Sequence, residues 1–306
     1  MNIRKLKDAV AGRLMLAAAL FSGLIVLIIA IMLYLRSKPI LEVKTLGELL
    51  LGSTWLPSRG EFGFYPFILG TLYVTLIAMV IAVPLSILSA IYLAEYAHEK
   101  VRSKVLPVID LLAGIPPVVY GVWGVLSIVP FIAFIAPVIG NFGIPFLTSN
   151  GYSTGYCLLA GGIVLAIMVF PIIISISEQV LRAVPFEVRE ASLSLGATRW
   201  QTIKHAVIRI AYPGIAAAVM LGFSRAIGET MAVLMVVGNV PNIPSSVFDS
   251  AYPLTALIAN NYGEMMSIPL YDSALLLAAL ILMLVILLFT LAARLILINI
   301  QRRMAL

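Results

Sequence analysis

The chain has 306 residues, of which 62% are apolar and 11% charged, against roughly 25% charged in ordinary soluble domains. Its mean hydropathy is +1.09, which excludes a soluble enzyme and requires a membrane protein. The net charge of +6 follows from where the basic residues fall along the chain and gives no reason to expect nucleic acid as a partner.

Long apolar runs in lipid are helices, because a helix satisfies every backbone N–H and C=O within its own segment. Six such runs occur: Leu14 to Leu35, Phe67 to Ala94, Val105 to Ala136, Cys157 to Ser177, Pro213 to Gly238 and Ser273 to Ala293. The first follows Arg4, Lys5, Lys7 and Arg13 but is too long for a signal h-region, and Leu35-Arg36-Ser37-Lys38 offers no small-residue cleavage site, so it is read as a retained helix. The domain reading is a short segment 1–13 on the cytoplasmic side, then one transmembrane domain over 14–306 with a cytoplasmic loop at 178–212. The outer excursion 36–66 carries Trp55, Pro57, Gly60 and Gly63, a composition suited to a turn-rich cap with an interfacial Trp.

The third run contains Ile115-Pro116-Pro117 and Val129-Pro130, each of which removes backbone donors inside the span. Such breaks are tolerated where protein or a water-filled cavity satisfies the freed carbonyls. Either the segment lines something other than lipid, or the kinks serve packing alone. Asp110, near the cytoplasmic start of this run, reads as an acid placed at a helix N-terminus.

With the N-terminus inside, the cytoplasmic segments hold fifteen of the twenty Lys and Arg: four before the first span, three in 95–104, five in 178–212 and three from Arg294 onward. Four lie in 36–66, and the outer loops 137–156 and 239–272 contain none. This asymmetry is the one the positive-inside rule expects and places both termini in the cytoplasm. Cys157 is the single cysteine, and His98 and His205 lack partners at ligand spacing, so neither a disulfide within the chain nor a metal or other cofactor is expected.

Residues 184–213 read VPFEVREASLSLGATRWQTIKHAVIRIAYP. Apolar residues recur at helical spacing on both sides of Gly196, which suits a left-handed position between two helices. The segment is either an amphipathic hairpin on lipid headgroups or a docking element for a cytoplasmic partner.

Arg225 and Glu229 are two charges in the apolar stretch GFSRAIGETMAVL. Arg225 lies twelve residues past Pro213, about 18 Å along a helix and near the bilayer middle. An Arg there costs at least about 2.5–3.5 kcal/mol. Spacing of i and i+4 would put both groups on one helix face, as an internal pair that fixes packing or as groups facing an anion pathway.

Two of these stretches carry a family resemblance. Glu190-Ala191-Ser192 followed after three residues by Gly196 resembles the EAA–xxx–G signature of ABC importer permeases, although Ala206-Val207-Ile208-Arg209 stands where the family usually has Ile-x-Leu-Pro. FSRAIGETMAVLMVVGN, Trp55-Leu56-Pro57, Gly114-Ile115-Pro116-Pro117-Val118-Val119-Tyr120-Gly121 and Leu254-Thr255-Ala256-Leu257-Ile258-Ala259-Asn260 are similar to segments of the phosphate-specific members, in their C-subunit branch.

The resemblance implies an all-α integral membrane protein of six transmembrane helices with the type I ABC importer permease fold. It implies a non-enzymatic subunit that translocates inorganic phosphate across the inner membrane by alternating access. Its partners would be a homologous second permease (the A subunit), an ATP-binding subunit dimer, an extracytoplasmic phosphate-binding protein and membrane lipid. Glu190, Ala191 and Gly196 would couple to the ATPase. Arg225 would face the anion, with Glu229 as the partner that keeps phosphate from binding too tightly to leave. The chain lacks a GxxxxGK[ST] loop, so ATP would bind another chain. A sulfate or other oxyanion permease and a proton-coupled anion symporter are the alternatives, since residue chemistry alone does not separate the anions.

Overall fold

The computed structural model describes residues 3–140, 146, 154–264 and 267–304. It is almost wholly helical: α1 Ile3–Val43, α2 Leu46–Leu51, α3 Tyr65–Ile91, α4 Glu99–Ala113, α5 Pro117–Trp123, α6 Val129–Gly140, α7 Leu158–Arg182, α8 Phe186–Ser194, α9 Arg199–Thr202, α10 Ile208–Ile227, α11 Met231–Val236, α12 Leu254–Asn261 and α13 Tyr271–Met304. A two-residue hairpin, β1 Trp55–Leu56 with β2 Glu61–Phe62, lies between α2 and α3. Among the described residues six helical stretches are long and apolar enough to cross a membrane: Val10–Val43, Tyr65–Tyr96, Pro117–Gly140, Leu158–Arg182, Arg199–Ile227 and Tyr271–Leu295.

The number of spans is as expected, but several boundaries move. α1 does not stop at Leu35: it runs to Val43, with Lys38 and Glu42 paired at 3.4 Å one turn apart. The excursion beyond it is short. Thr45 and Glu48 form a reciprocal capping box that starts α2, and Trp55 packs against Phe62, Phe64, Phe67 and Tyr271 at 5.1–6.2 Å between ring centroids. Trp55 is thus half-buried in an aromatic cluster that fastens the α2–β hairpin cap onto α3 and α13.

The expected third span, 105–136, divides. α4 ends at Ala113, Gly114-Ile115-Pro116 breaks the chain, and the apolar crossing begins at Pro117, a proline at the start of a helix where its missing N–H costs nothing. The second proline site breaks nothing. Before Pro130 the helix widens into a π-turn, Gly124–Ile128, and continues as α6, the local adjustment a chain makes when one amide donor is lost. Asp110 does not stand at a helix N-terminus: it lies in the last turn of α4, where its carboxylate accepts the Ser175 hydroxyl at 2.9 Å. Of the expected outer loop 137–156, residues 141–145 and 147–153 lie outside the described residues.

α3 and α7 form the centre. They run parallel, Val74 beside Gly161 and Ile77 beside Gly162, and a Cβ on Gly162 would stand 2.3 Å from the Ile77 Cγ2. Ala78, Ala82 and Ala166 are fully buried at this contact. Small residues let two helices approach where lipid supplies no hydrophobic force between them. α10 packs against α7 as well, with Gly214 at Val180 and Gly222 at Val169 and Ile173.

Candidate functional site

The fifth span is not one helix from Pro213 to Gly238. It begins at Arg199 and passes through a π-turn, Ile203–Val207, into α10, which accommodates Pro213 in its interior and ends at Ile227. Gly228-Glu229-Thr230 is unwound, and α11 resumes at Met231. Glu229 therefore does not share a helix face with Arg225, and among the described residues no ion pair joins them. Gly228 supplies the physical reason, because a glycine followed by Glu-Thr ends one helix and opens the next more cheaply than it continues.

The stretch of α10 that leads into the break passes the middle of α7. A Cβ on Gly222 would stand 2.7 Å from Ile173 and 2.9 Å from Val169, and Val169 is the twelfth of the 25 residues of α7. Arg225 is one turn further along α10, about 4.5 Å nearer the break. Beyond the break α11 is wedged between α5 and α7: a Cβ on Gly121 would meet Met235 Sδ at 2.6 Å, and one on Gly124 would meet Val164 and Val236 at 2.7 and 2.9 Å.

Each charge complements one free helix end. Arg225 occupies the last turn of α10, where unpaired carbonyls carry negative partial charge. The Glu229 carboxylate accepts the Thr230 amide at 3.1 Å at the entrance to α11, where donors are free. The Thr255 hydroxyl of α12 donates to the Glu229 carbonyl at 3.0 Å and the Thr230 hydroxyl to the Gly228 carbonyl at 3.3 Å, so the unwound residues are held on both sides. Glu229 is half-buried and Arg225 is exposed on this chain. Tyr120 donates its hydroxyl to the Leu112 carbonyl at 2.8 Å, linking the two halves of the α4–α5 break. Sequence reasoning did not single out Tyr120 or Thr255, since nothing local in the chain signals either bond.

The hairpin of α8 and α9 is the second candidate. α8 ends in a turn in which the Gly196 amide bonds Leu193 O at 2.9 Å and the Ala197 amide bonds Ser192 O at 3.3 Å. Gly196 takes φ +82°, a left-handed conformation that disfavours any Cβ. Thr198 and Gln201 then cap α9 reciprocally. Glu190, Ala191 and Gly196 are all exposed, as are Phe186, Leu193, Leu195 (89%) and Trp200. Exposed apolar side chains on an otherwise polar hairpin form a surface suited to protein contact.

The sequence profile of binding-protein-dependent transport system inner membrane components matches residues 82–305. The chain belongs to this family. The permease is 40% identical to the probable ABC transporter permease protein YqgH of Bacillus subtilis over 84% of this chain and 80% of that protein. It is 36% identical to the phosphate transport system permease protein PstC of Mesorhizobium japonicum over 98% and 96%. It is 35% identical to the probable PstC of Methanocaldococcus jannaschii over 72% of each. Among solved structures the permease is similar to the MetNI methionine ABC transporter in an inward-facing form, with a TM-score of 0.54, 18% identity and coverage of 76% of this chain and 93% of that one. It is also similar to a bacterial ABC transporter that imports alginate, with a TM-score of 0.54, 17% identity and coverage of 77% and 79%. The architecture is that of ABC importer permeases of type I, and the chain is a multi-pass membrane protein.

Proposed function

We propose that this permease is the C-type membrane subunit of an ATP-driven importer of inorganic phosphate. The observation that carries the reading is an uncovered guanidinium, Arg225, at mid-depth beside a break in a spanning helix. A cation in that position is too costly to face lipid and serves instead to attract an anion or to meet another protein chain. Phosphate is favoured among anions because relatives that match nearly the whole chain are phosphate transport permeases.

In this account a homologous second permease covers the exposed α5–α10 face and closes the pathway around Arg225. An extracytoplasmic binding protein delivers the anion, and ATP is hydrolysed on a separate subunit pair. The hairpin of α8 and α9, with Glu190, Ala191 and Gly196, seats in the ATPase and transmits its closure. Both termini are cytoplasmic, because that orientation puts fifteen of the twenty basic residues inside. Glu229 acts differently from a simple partner of Arg225: it steadies the entrance to α11 and leaves the guanidinium free for the anion.

The test is uptake by proteoliposomes holding this chain, its second permease and the ATPase. Phosphate uptake that requires both ATP and the binding protein supports the proposal. Uptake by this chain alone, or sulfate taken up in preference to phosphate, contradicts it.

A further inference from the structure

Two arginines, one from each arm of the hairpin, converge on the foot of α3. The Arg189 guanidinium of α8 uses all five of its N–H donors: Nε and Nη2 grip the Glu95 carboxylate at 3.3 and 2.6 Å, Nη2 also reaches Leu181 O at 2.9 Å, and Nη1 reaches Val184 O at 2.6 Å and Pro185 O at 3.3 Å. The pair is largely buried, the side chains of Arg189 and Glu95 being 15% and 9% exposed. Arg199, which opens α9, donates to the Glu95 carbonyl and lies 4.7 Å above the Tyr96 ring. Glu95 and Tyr96 belong to the π-turn Tyr92–Tyr96 that ends α3.

α7 is joined to α8 by three residues, and α9 runs through a π-turn into α10, so both helices follow the hairpin through the chain itself. α3 has no such link. It meets the hairpin through an apolar cluster that includes Ala90, Ile91, Val184 and Ile203, and through Glu95 and Tyr96. Apolar contacts are non-directional and permit sliding, whereas a forked guanidinium–carboxylate pair fixes distance and angle. A buried ion pair is also a poor device for stability alone, since apolar residues of similar volume often serve as well.

We infer that Arg189 and Glu95 are positioning residues that carry the hairpin's displacement into α3, and through α3 into the α3–α7 centre, with Arg199 as a second tether. The inference rests on the coupling role proposed above for the hairpin.

Complete complexes bearing Glu95→Gln, Arg189→Lys or Arg199→Leu, with Glu190→Lys as reference, would be reconstituted with the binding protein. The quantity measured is ATP hydrolysed per phosphate transported, alongside the amount of assembled complex. Glu95→Gln and Arg189→Lys should assemble and raise the ratio at least about fivefold, the low end of typical coupling between sites. A tether lost only from packing would lower assembly and leave the ratio of the surviving complexes unchanged, and that result overturns the inference. Should neither variant assemble, Arg199→Leu decides: removing an exposed cation–π contact and one hydrogen bond should raise the ratio about two- to fivefold, and an unchanged ratio refutes the tether. Glu190→Lys separates the two levels. If it uncouples while the other three do not, only the tether falls; if all four keep the ratio of the unaltered complex, the coupling role of the hairpin falls with it.

Discussion

Replacing Arg225 by Gln removes a cation from mid-depth, and the geometry fixes what this should and should not disturb. Were Arg225 and Glu229 a buried pair, deleting one partner would strand the other at a cost of about 3–5 kcal/mol, more than a roughly hundredfold shift at about 1.4 kcal/mol per factor of ten. They are not paired within 4.0 Å, and the Glu229 carboxylate keeps its bond to the Thr230 amide without Arg225. What the variant loses in folding is the interaction with the free carbonyls of α10, about 0.3–1 kcal/mol. What it gains is relief of an insertion penalty of about 2.5–3.5 kcal/mol. Arg225→Gln should therefore assemble as well as the unaltered chain and lose phosphate uptake. The assay is quantitative recovery of the complex from membranes, with uptake by the same preparations. The reasoning is refuted if Arg225→Gln depletes the complex and the double change Arg225→Gln with Glu229→Gln restores both complex and uptake, since that pattern belongs to a structural pair.

At the hairpin, Gly196→Ala places a Cβ at φ +82° in open space, a strain of about 1–2 kcal/mol that should leave coupling largely intact. Gly196→Pro cannot adopt that φ and should abolish uptake while ATP hydrolysis continues; equal uptake in the two variants would count against the turn's role. Gly124→Ala brings a methyl within 2.7 Å of Val164 and 2.9 Å of Val236, side chains stiff at χ1, and should destabilise the solubilised protein by about 1–3 kcal/mol. Adding Val236→Ala relieves the α11 contact alone and should cost less than the sum of the two single changes in a thermal melt, and strict additivity would mean that α11 does not lie where described. Thr255→Val deletes the hydroxyl bonded to the Glu229 carbonyl and should cost about 0.5–1.5 kcal/mol, with lower uptake at unchanged ATPase docking measured by co-purification.

Apolar run length alone made the six spans legible, because lipid leaves helices as the economical way to satisfy the backbone. Span ends were less legible. Arg36 and Lys38 read as the end of a helix, yet α1 continues through them on an i,i+4 pair. Proline was an ambiguous mark: at Pro116-Pro117 it broke the helix, at Pro130 a π-turn absorbed it, and at Pro213 it sits inside α10. The break at Gly228 was hidden by the apolar residues on either side, although Gly-Glu-Thr holds a helix stop followed by a new start. The hairpin turn at Gly196 was visible because its requirement is local. Arg102 with Glu178 at 2.6 Å and Arg189 with Glu95 at 2.6 Å join residues 76 and 94 positions apart, a kind of contact that no periodicity announces.

Whether the Arg225 position faces an aqueous anion pathway can be read directly by cysteine labelling. Cys157 is the single cysteine and is buried, so Arg225→Cys in a Cys157→Ser background gives one reporter in the assembled complex. The account predicts that a small water-soluble thiol reagent modifies position 225, that phosphate with the binding protein and ATP slows the modification, and that attaching an aminoethyl group, which restores a cation, recovers part of the lost uptake. A position 225 that stays unmodified in the working complex, with Leu195→Cys on the hairpin labelled as a control, would contradict it.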